Sequence, residues 1–442
     1  MKRSTLILIL IAAALGAFVY FYEVKRGKSR DAVEETAKPA FSFNQDDIAT
    51  ITVTRSGETY AFEKRDGEWV ITQPINTRAD QSAIDSIASG VATARVNRTL
   101  SSSPDNLKSY GLENPAVTVE IKLKNGNQHR VRLGAKDFSG LNVYALLDGS
   151  NEVALLPDSV LSSADRPLPE LRDRSVLNIS QWDVVSFDLK NSSGEITVAK
   201  QESNWVIKQP RETAADESEV SSLLSQITSA KMTEVVSETA DDLTKYGLSQ
   251  PGLSFRVRLQ KGDERALIVG NKVDEHYFAR DTTRSQIFRI DSELYKKLSD
   301  ATFSLLRDKR VVSFKQDEIT RVSVKNSNQT VVCEKNSEGK WIVKEPADNK
   351  DKEAQSWRLF NPIENTKAKE IIDSPSRAIL AKLAKPAVEM ELTDKSGKTT
   401  KISISSADGD DVYVRTSSGP SVYKLGKQIL DDLNFKVSDI VL

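Results

Sequence analysis

Two histidines and a single cysteine are all the imidazole and thiol in this chain of 442 residues, and these shortages exclude much chemistry. A lone thiol, Cys333, cannot close an intrachain disulfide, and no cysteine follows the N-terminal apolar run to carry a lipoprotein anchor. His129 and His276 have no neighbours at ligand spacing, so no metal site is expected. The Gly-x-Ser-x-Gly, phosphate-loop and His-Glu-x-x-His patterns are all missing. An excess of either charge is missing too. The 62 Lys and Arg stand against 63 Asp and Glu, so nucleic acid is not an expected partner. No catalytic, cofactor-binding or metal-binding residue is assigned, no enzyme activity is expected, and the sequence names no small-molecule ligand.

Long apolar runs are scarce as well: one occurs, from Leu6 to Tyr22. Its length is at the short end of the ~17–25 residues that cross a bilayer as a helix. Tyr20 and Tyr22 close it with rings suited to the membrane interface. Residues 1–24 therefore read as a cytoplasmic tip and single-pass transmembrane anchor in the bilayer. The competing reading is a cleaved signal peptide, with Lys2 and Arg3 as its basic start and Ala12-Ala13-Ala14 as small residues for cleavage. The apolar stretch continuing through Phe18-Val19-Tyr20-Phe21 favours the anchor. Lys and Arg on both flanks leave orientation undecided by charge. Residues 25–41, charged and without periodicity, read as a tether.

The remainder is organised by a six-residue stretch that occurs three times. It runs Trp69 to Pro74, Trp205 to Pro210 and Trp341 to Pro346, with the tryptophans 136 residues apart each time. That period is the size of a domain, not of a solenoid unit. Repeats are therefore expected at 42–178, 179–313 and 314–442, the openings Phe43 to Ile48 and Phe314 to Ile319 matching. In the first, a strand from Ile48 leads to a hairpin turning at Asp66-Gly67. The signature proline then ends the strand, because it cannot donate to a ladder. Asp80 and Asp216 are expected helix caps ahead of Ile84, Ile87, Val91 and of Val220, Leu223, Ile227. In the third repeat the matching apolar positions are Trp357, Phe360 and Ile363.

A second marker is Tyr110-Gly111-Leu112-Glu113-Asn114-Pro115, matched by Tyr246-Gly247-Leu248-Ser249-Gln250-Pro251. The third copy keeps only Leu383 and Pro386. After each proline, apolar residues alternate with period two: Val117, Val119, Ile121; Leu253, Phe255, Val257; Val388, Met390, Leu392. The first two copies end in Leu171-Arg172-Asp173-Arg174 or Leu306-Arg307-Asp308-Lys309, a motif expected at the joint between copies. The fold class expected is α+β, a transmembrane helix followed by three tandem, mostly antiparallel sheet-plus-helix domains.

Each candidate for chemistry has a structural reading beside it. Indole faces bind sugars and cations, yet a Trp retained in every copy more often fills a gap beneath a sheet. The glycine and proline of the Tyr-Gly-Leu-x-x-Pro marker fit a turn. Asp408-Gly409-Asp410-Asp411 suggests Ca²⁺ but lacks the spaced ligand set, and it falls on an ordinary loop. His129 reads as solvated, and Cys333, aligned with Phe62 and Val198, reads as a small core hydrophobe.

Taken together, the anchor, the Trp-x-x-x-x-Pro signature, the Tyr-Gly-Leu-x-x-Pro marker and the Leu-Arg-Asp run resemble the bacterial membrane-anchored family grouped as domain of unknown function 4340. The resemblance implies a protein of the inner (cytoplasmic) membrane with its body in the periplasm, linked with ABC-type export permeases of the gliding-motility kind. The family carries no established catalytic residues. The function expected is a non-catalytic accessory or scaffold protein whose partner is an integral membrane transporter component. The alternative is an envelope polymer-binding protein, its tandem domains giving avidity for glycan or peptidoglycan.

Overall fold

The computed structural model describes residues 37–100, 104–364 and 366–442. In the first copy the strands are β1 (Lys38–Pro39), β2 (Ile48–Arg55), β3 (Glu58–Arg65), β4 (Glu68–Gln73), β5 (Thr77–Arg78), β6 (Arg95–Val96), β7 (Arg98–Leu100), β8 (Val117–Leu123), β9 (Gln128–Lys136), β10 (Asn142–Leu147) and β11 (Val153–Pro157). The helices are α1 (Gln81–Ala92), α2 (Pro104–Ser109), α3 (Asp158–Ala164) and α4 (Leu168–Leu171). Nine strands form one antiparallel sheet in the order β5-β4-β3-β2-β8-β9-β10-β11-β7. It consists of two meanders that run outward from the central pair β2–β8, where Val53 faces Val119. The second and third copies repeat this order strand for strand.

The expectation of an α+β fold behind a transmembrane helix is therefore corrected. The described residues make three large antiparallel sheets of nine strands each, with few helices. Among them no helix is long and apolar enough to cross a membrane. The anchor expected at Leu6 to Tyr22 lies outside the described residues. Edge strands such as Thr77–Arg78 and Arg98–Leu100, two and three residues long, have no counterpart in the sequence reading. So short a segment carries no readable period, and its pairing is set by the rest of the sheet.

Inside each sheet the local rules are visible. Asp66 and Gly67 both take positive φ and join β3 to β4 with Arg65 opposite Glu68, the two-residue turn that matches strand twist. Each signature proline follows a cis peptide and stands directly after the last residue of its strand, Gln73, Gln209 or Glu345. Asp80 caps α1 by accepting from the Ala83 amide, and Asp216 caps α5 (Glu217–Ser229) by accepting from those of Ser218 and Glu219. The helix turns Ile84, Ile87 and Val91, or Val220, Leu223 and Ile227, onto the inner face of its sheet. Alternate residues of the strand after each marker proline join the same core, including Val119, Phe255 and Met390. In the third copy Leu359, Phe360 and Ile363 are buried, whereas Trp357 points outward beneath the Arg358 guanidinium, 4.6 Å from its ring.

Each copy also has an opening and a closing contact. Lys38–Pro39, at the end of the expected tether, pairs with Arg95–Val96. The same pairing recurs as Ser175 with Lys231 and as Arg310 with Lys367. The Leu-Arg-Asp run closes its own copy: Arg172 bridges Ala79, Arg307 bridges Ala215, and in the third copy Val441 bridges Ala354. Its backbone thus completes a sheet, which the third copy does without the motif.

Candidate functional site

The three signature tryptophans lie in the cores, 1%, 7% and 5% exposed. The Trp69 indole donates to Asp85 at 2.9 Å. A lysine stem lies over each ring, Lys64, Lys200 and Lys335, with its ammonium 5.1–5.9 Å from the centroid. Gln81 reads both backbone groups of Trp69, accepting from its N–H at 2.7 Å and donating to its carbonyl at 2.9 Å. Glu217 accepts from the Trp205 N–H in the same way. These two first-turn residues were missed in the sequence, although both stand twelve positions after their Trp.

The Tyr-Gly-Leu marker works on the other face of the sheet. Leu112 is buried with Leu146 and Val153 in a small second core, which Tyr110 and Tyr144 cover with ring centroids 4.3 Å apart. Gly111 takes φ +68° and Gly247 φ +71°. The Tyr110 carbonyl accepts from the Ala135 amide, and that of Tyr246 from Asn271. Here the unforeseen partner is a second glycine: a Cβ on Gly134 or Gly270 would stand 2.2 or 2.1 Å from that tyrosine carbonyl. Tyr246 also meets Phe278 edge to face. The third copy has neither glycine, and Lys382 lies over Tyr413 instead.

A cleft of about 770 Å³ opens on the outer face of the second sheet across β12 (Val184–Asn191), β13 (Gly194–Gln201) and β14 (Leu253–Leu259). Its floor carries Asp188, Lys190, Thr197 and Arg256, and its rim carries Gln209 from the Trp signature and Pro251 from the second marker. Thr197 donates to Asp188 at 2.7 Å, and Lys190 pairs with Glu195 at 3.3 Å. The matching face of the first sheet holds a smaller cleft of about 250 Å³ that includes His129. That imidazole is half-buried and packs on Phe41 and Phe43, with centroids 5.7 and 4.9 Å away, not solvated as expected. Paired carboxylates and cations without a nucleophile–base couple suit such a face to binding extended polar groups.

The other concentration of polar groups joins the second and third copies. Asp373 accepts from Arg307 at 2.9 Å, Arg211 at 2.7 Å and Ser421 at 2.8 Å, and both guanidiniums lie over the Phe303 ring. Burial would raise the Asp373 carboxyl, but these bonds outweigh it and hold it below the usual carboxylate range. Beside it Lys367 donates to Asp216 at 2.7 Å. Burial pushes Asp216 up, and the bonds from Lys367 and Ser218 bring it down to about 2.

The loop at Asp408 to Asp411 is taken up by lysines: Lys382 reaches Asp408, Lys427 reaches Asp410, and Lys369 and Lys424 reach Asp411. Among the described residues no group of three or more His, Cys, Asp or Glu could hold a metal. Cys333 is fully buried between Val322 and Val343 on the neighbouring strands, and burial pushes its thiol up to about 12.

The family model for "Domain of unknown function (DUF4340)" matches residues 69–204 and 205–386, most of the chain. The chain belongs to the DUF4340 family. Both DUF4340 segments begin on a signature tryptophan, so the family unit starts in the middle of one sheet and runs into the next. No curated protein matches. Among solved structures, the β subunit of DNA polymerase III from Pseudomonas aeruginosa aligns at 10% identity, covering 85% of this chain and 90% of that one, with a TM-score of 0.15. The sliding clamp of the same organism bound to griselimycin aligns at 11%, covering 87% and 92%, with a TM-score of 0.13. At such scores the likeness carries no argument about this DUF4340 protein.

Proposed function

We propose that this DUF4340 protein is a non-catalytic accessory or scaffold protein of the bacterial envelope, serving an ABC-type export system. In this reading it associates with the cytoplasmic membrane through residues 6–22, and its sheet domains face the periplasm. One observation carries the proposal. The tryptophans that all three copies share are buried in the cores, while exposed positions at matching places differ, as Phe138 does from Asp274. A module multiplied in this way adds area and avidity without repeating a reactive centre.

The test is recovery of the full-length chain from membranes in mild detergent, with and without residues 1–24, read by mass spectrometry. A transporter permease or its ATPase recovered only with those residues present is the expected result. Recovery without any membrane protein would refute it. The polymer-binding alternative has its support in the 770 Å³ cleft on the second sheet, since the buried indoles offer no face to a sugar. Soluble peptidoglycan fragments protecting residues 188–197 and 250–256 from hydrogen exchange would favour it.

A further inference from the structure

One hairpin of the first copy is built differently from its counterparts. Between β9 and β10, Phe138 is 103% exposed and Leu141 71% exposed. The backbone that presents them is firmly braced. Asp137 accepts from the Ser139 hydroxyl and from the amide and side chain of Asn142, and Gly140 donates to the Asp137 carbonyl. The Leu141 carbonyl accepts from Asp158. The corresponding turn of the second copy is Asp274-Glu275, and that of the third contains Asp408 and Asp410. Only the first copy has an apolar tip there.

That tip lies where the chain enters the copy. Lys38 pairs with Val96, and the next residue, Asn97, donates from its side chain to Asn142 at 2.8 Å, at the base of the hairpin. Lys38, Arg95 and Arg98 are exposed at this same end. The interval from Tyr22 to Ala37 spans at most about 50 Å when fully extended. A bilayer holding residues 6–22 is therefore within reach of the tip. Rigid apolar side chains flanked by basic groups are the features that enter the interface of a membrane carrying anionic lipid.

We propose that the 137–142 hairpin inserts Phe138 and Leu141 into the lipid interface and seats the first sheet domain on the bilayer; this rests on the membrane association proposed above. The test uses the full chain carrying Leu141→Cys labelled with an environment-sensitive fluorophore, Cys333 being buried, and vesicles of phosphatidylethanolamine with phosphatidylglycerol. The expected result is that the chain floats with the vesicles, that the label's emission shifts to the blue, and that doxyl-labelled lipid quenches it. Phe138→Ser in the labelled chain should lose much of that shift, and a label at Glu275→Cys in the second copy should show none. A chain that floats while its 141 label stays in water would overturn this inference and leave membrane association standing. A chain that does not float would overturn both.

Discussion

Replacing Gly270 by alanine should loosen one turn of the second copy and nothing else. The added Cβ would lie 2.1 Å from the Tyr246 carbonyl oxygen, so backbone must move by about an ångström to reach ordinary contact. Such overpacking costs about 1–3 kcal/mol. The bond from the Asn271 amide to that same oxygen, 2.9 Å long, is lost with it, for about 1 kcal/mol more. Together these predict about 2–4 kcal/mol, which is roughly a thirtyfold to thousandfold loss of local protection. Hydrogen exchange with mass spectrometry on the full chain reads this directly. Peptides covering 243–248 and 267–272 should exchange faster, while 107–112 and 131–136 of the first copy should not change. Gly134→Ala should give the mirror result, with its Cβ 2.2 Å from the Tyr110 carbonyl. Unaltered protection in both variants would refute the claim that the marker turn needs this close approach.

Asp373→Ala should destabilise the second and third copies by about 1.5–3 kcal/mol, because Arg307, 11% exposed, loses both its bonds to that carboxylate; denaturant titration checks it. Asp216 has a folded pKa of about 2 against an ordinary 3.8, so the stability it contributes is present above about pH 4 and is lost as pH falls through 2. That contribution is at most about 2 kcal/mol, lessened by solvent around the half-exposed Lys367, and Asp216→Asn should flatten this acid limb of a stability titration. Cys333 should resist iodoacetamide in the native chain at neutral pH and react fully in denaturant, since burial keeps the thiol protonated. Rapid native labelling would contradict its place in the core.

Much of the inner architecture was readable because it obeys short-range rules. The Asp66-Gly67 turn, the Asp80 and Asp216 caps and the alternation from Val117 to Ile121 each announce themselves within a few residues. What escaped depends on partners far along the chain. Thr77–Arg78 becomes a strand only because β4 and the Asp173 backbone are near, and nothing in two residues says so. The Leu-Arg-Asp run divides its roles: its backbone closes its own sheet, while the Arg307 side chain reaches Asp373 in the next copy. Spacing cannot separate those two tasks. His129 looked solvated because its sequence neighbours are charged, yet Phe41 and Phe43 come to it from a distant segment.

The passage from the second copy to the third has a mechanical consequence. The Asp308 amide donates to Ala214 in one sheet, and the carbonyl of the very next residue, Lys309, accepts from Ala368, just ahead of the third copy's edge strand Glu370–Ile372. There is no slack to take up a pull. A load applied along the chain reaches both sheets' hydrogen bonds at once, and any bending at this point levers against the Asp373 ion pairs. The two domains would transmit displacement as a stiff rod does, and one inserted glycine after Asp308 would turn that rod into a hinge.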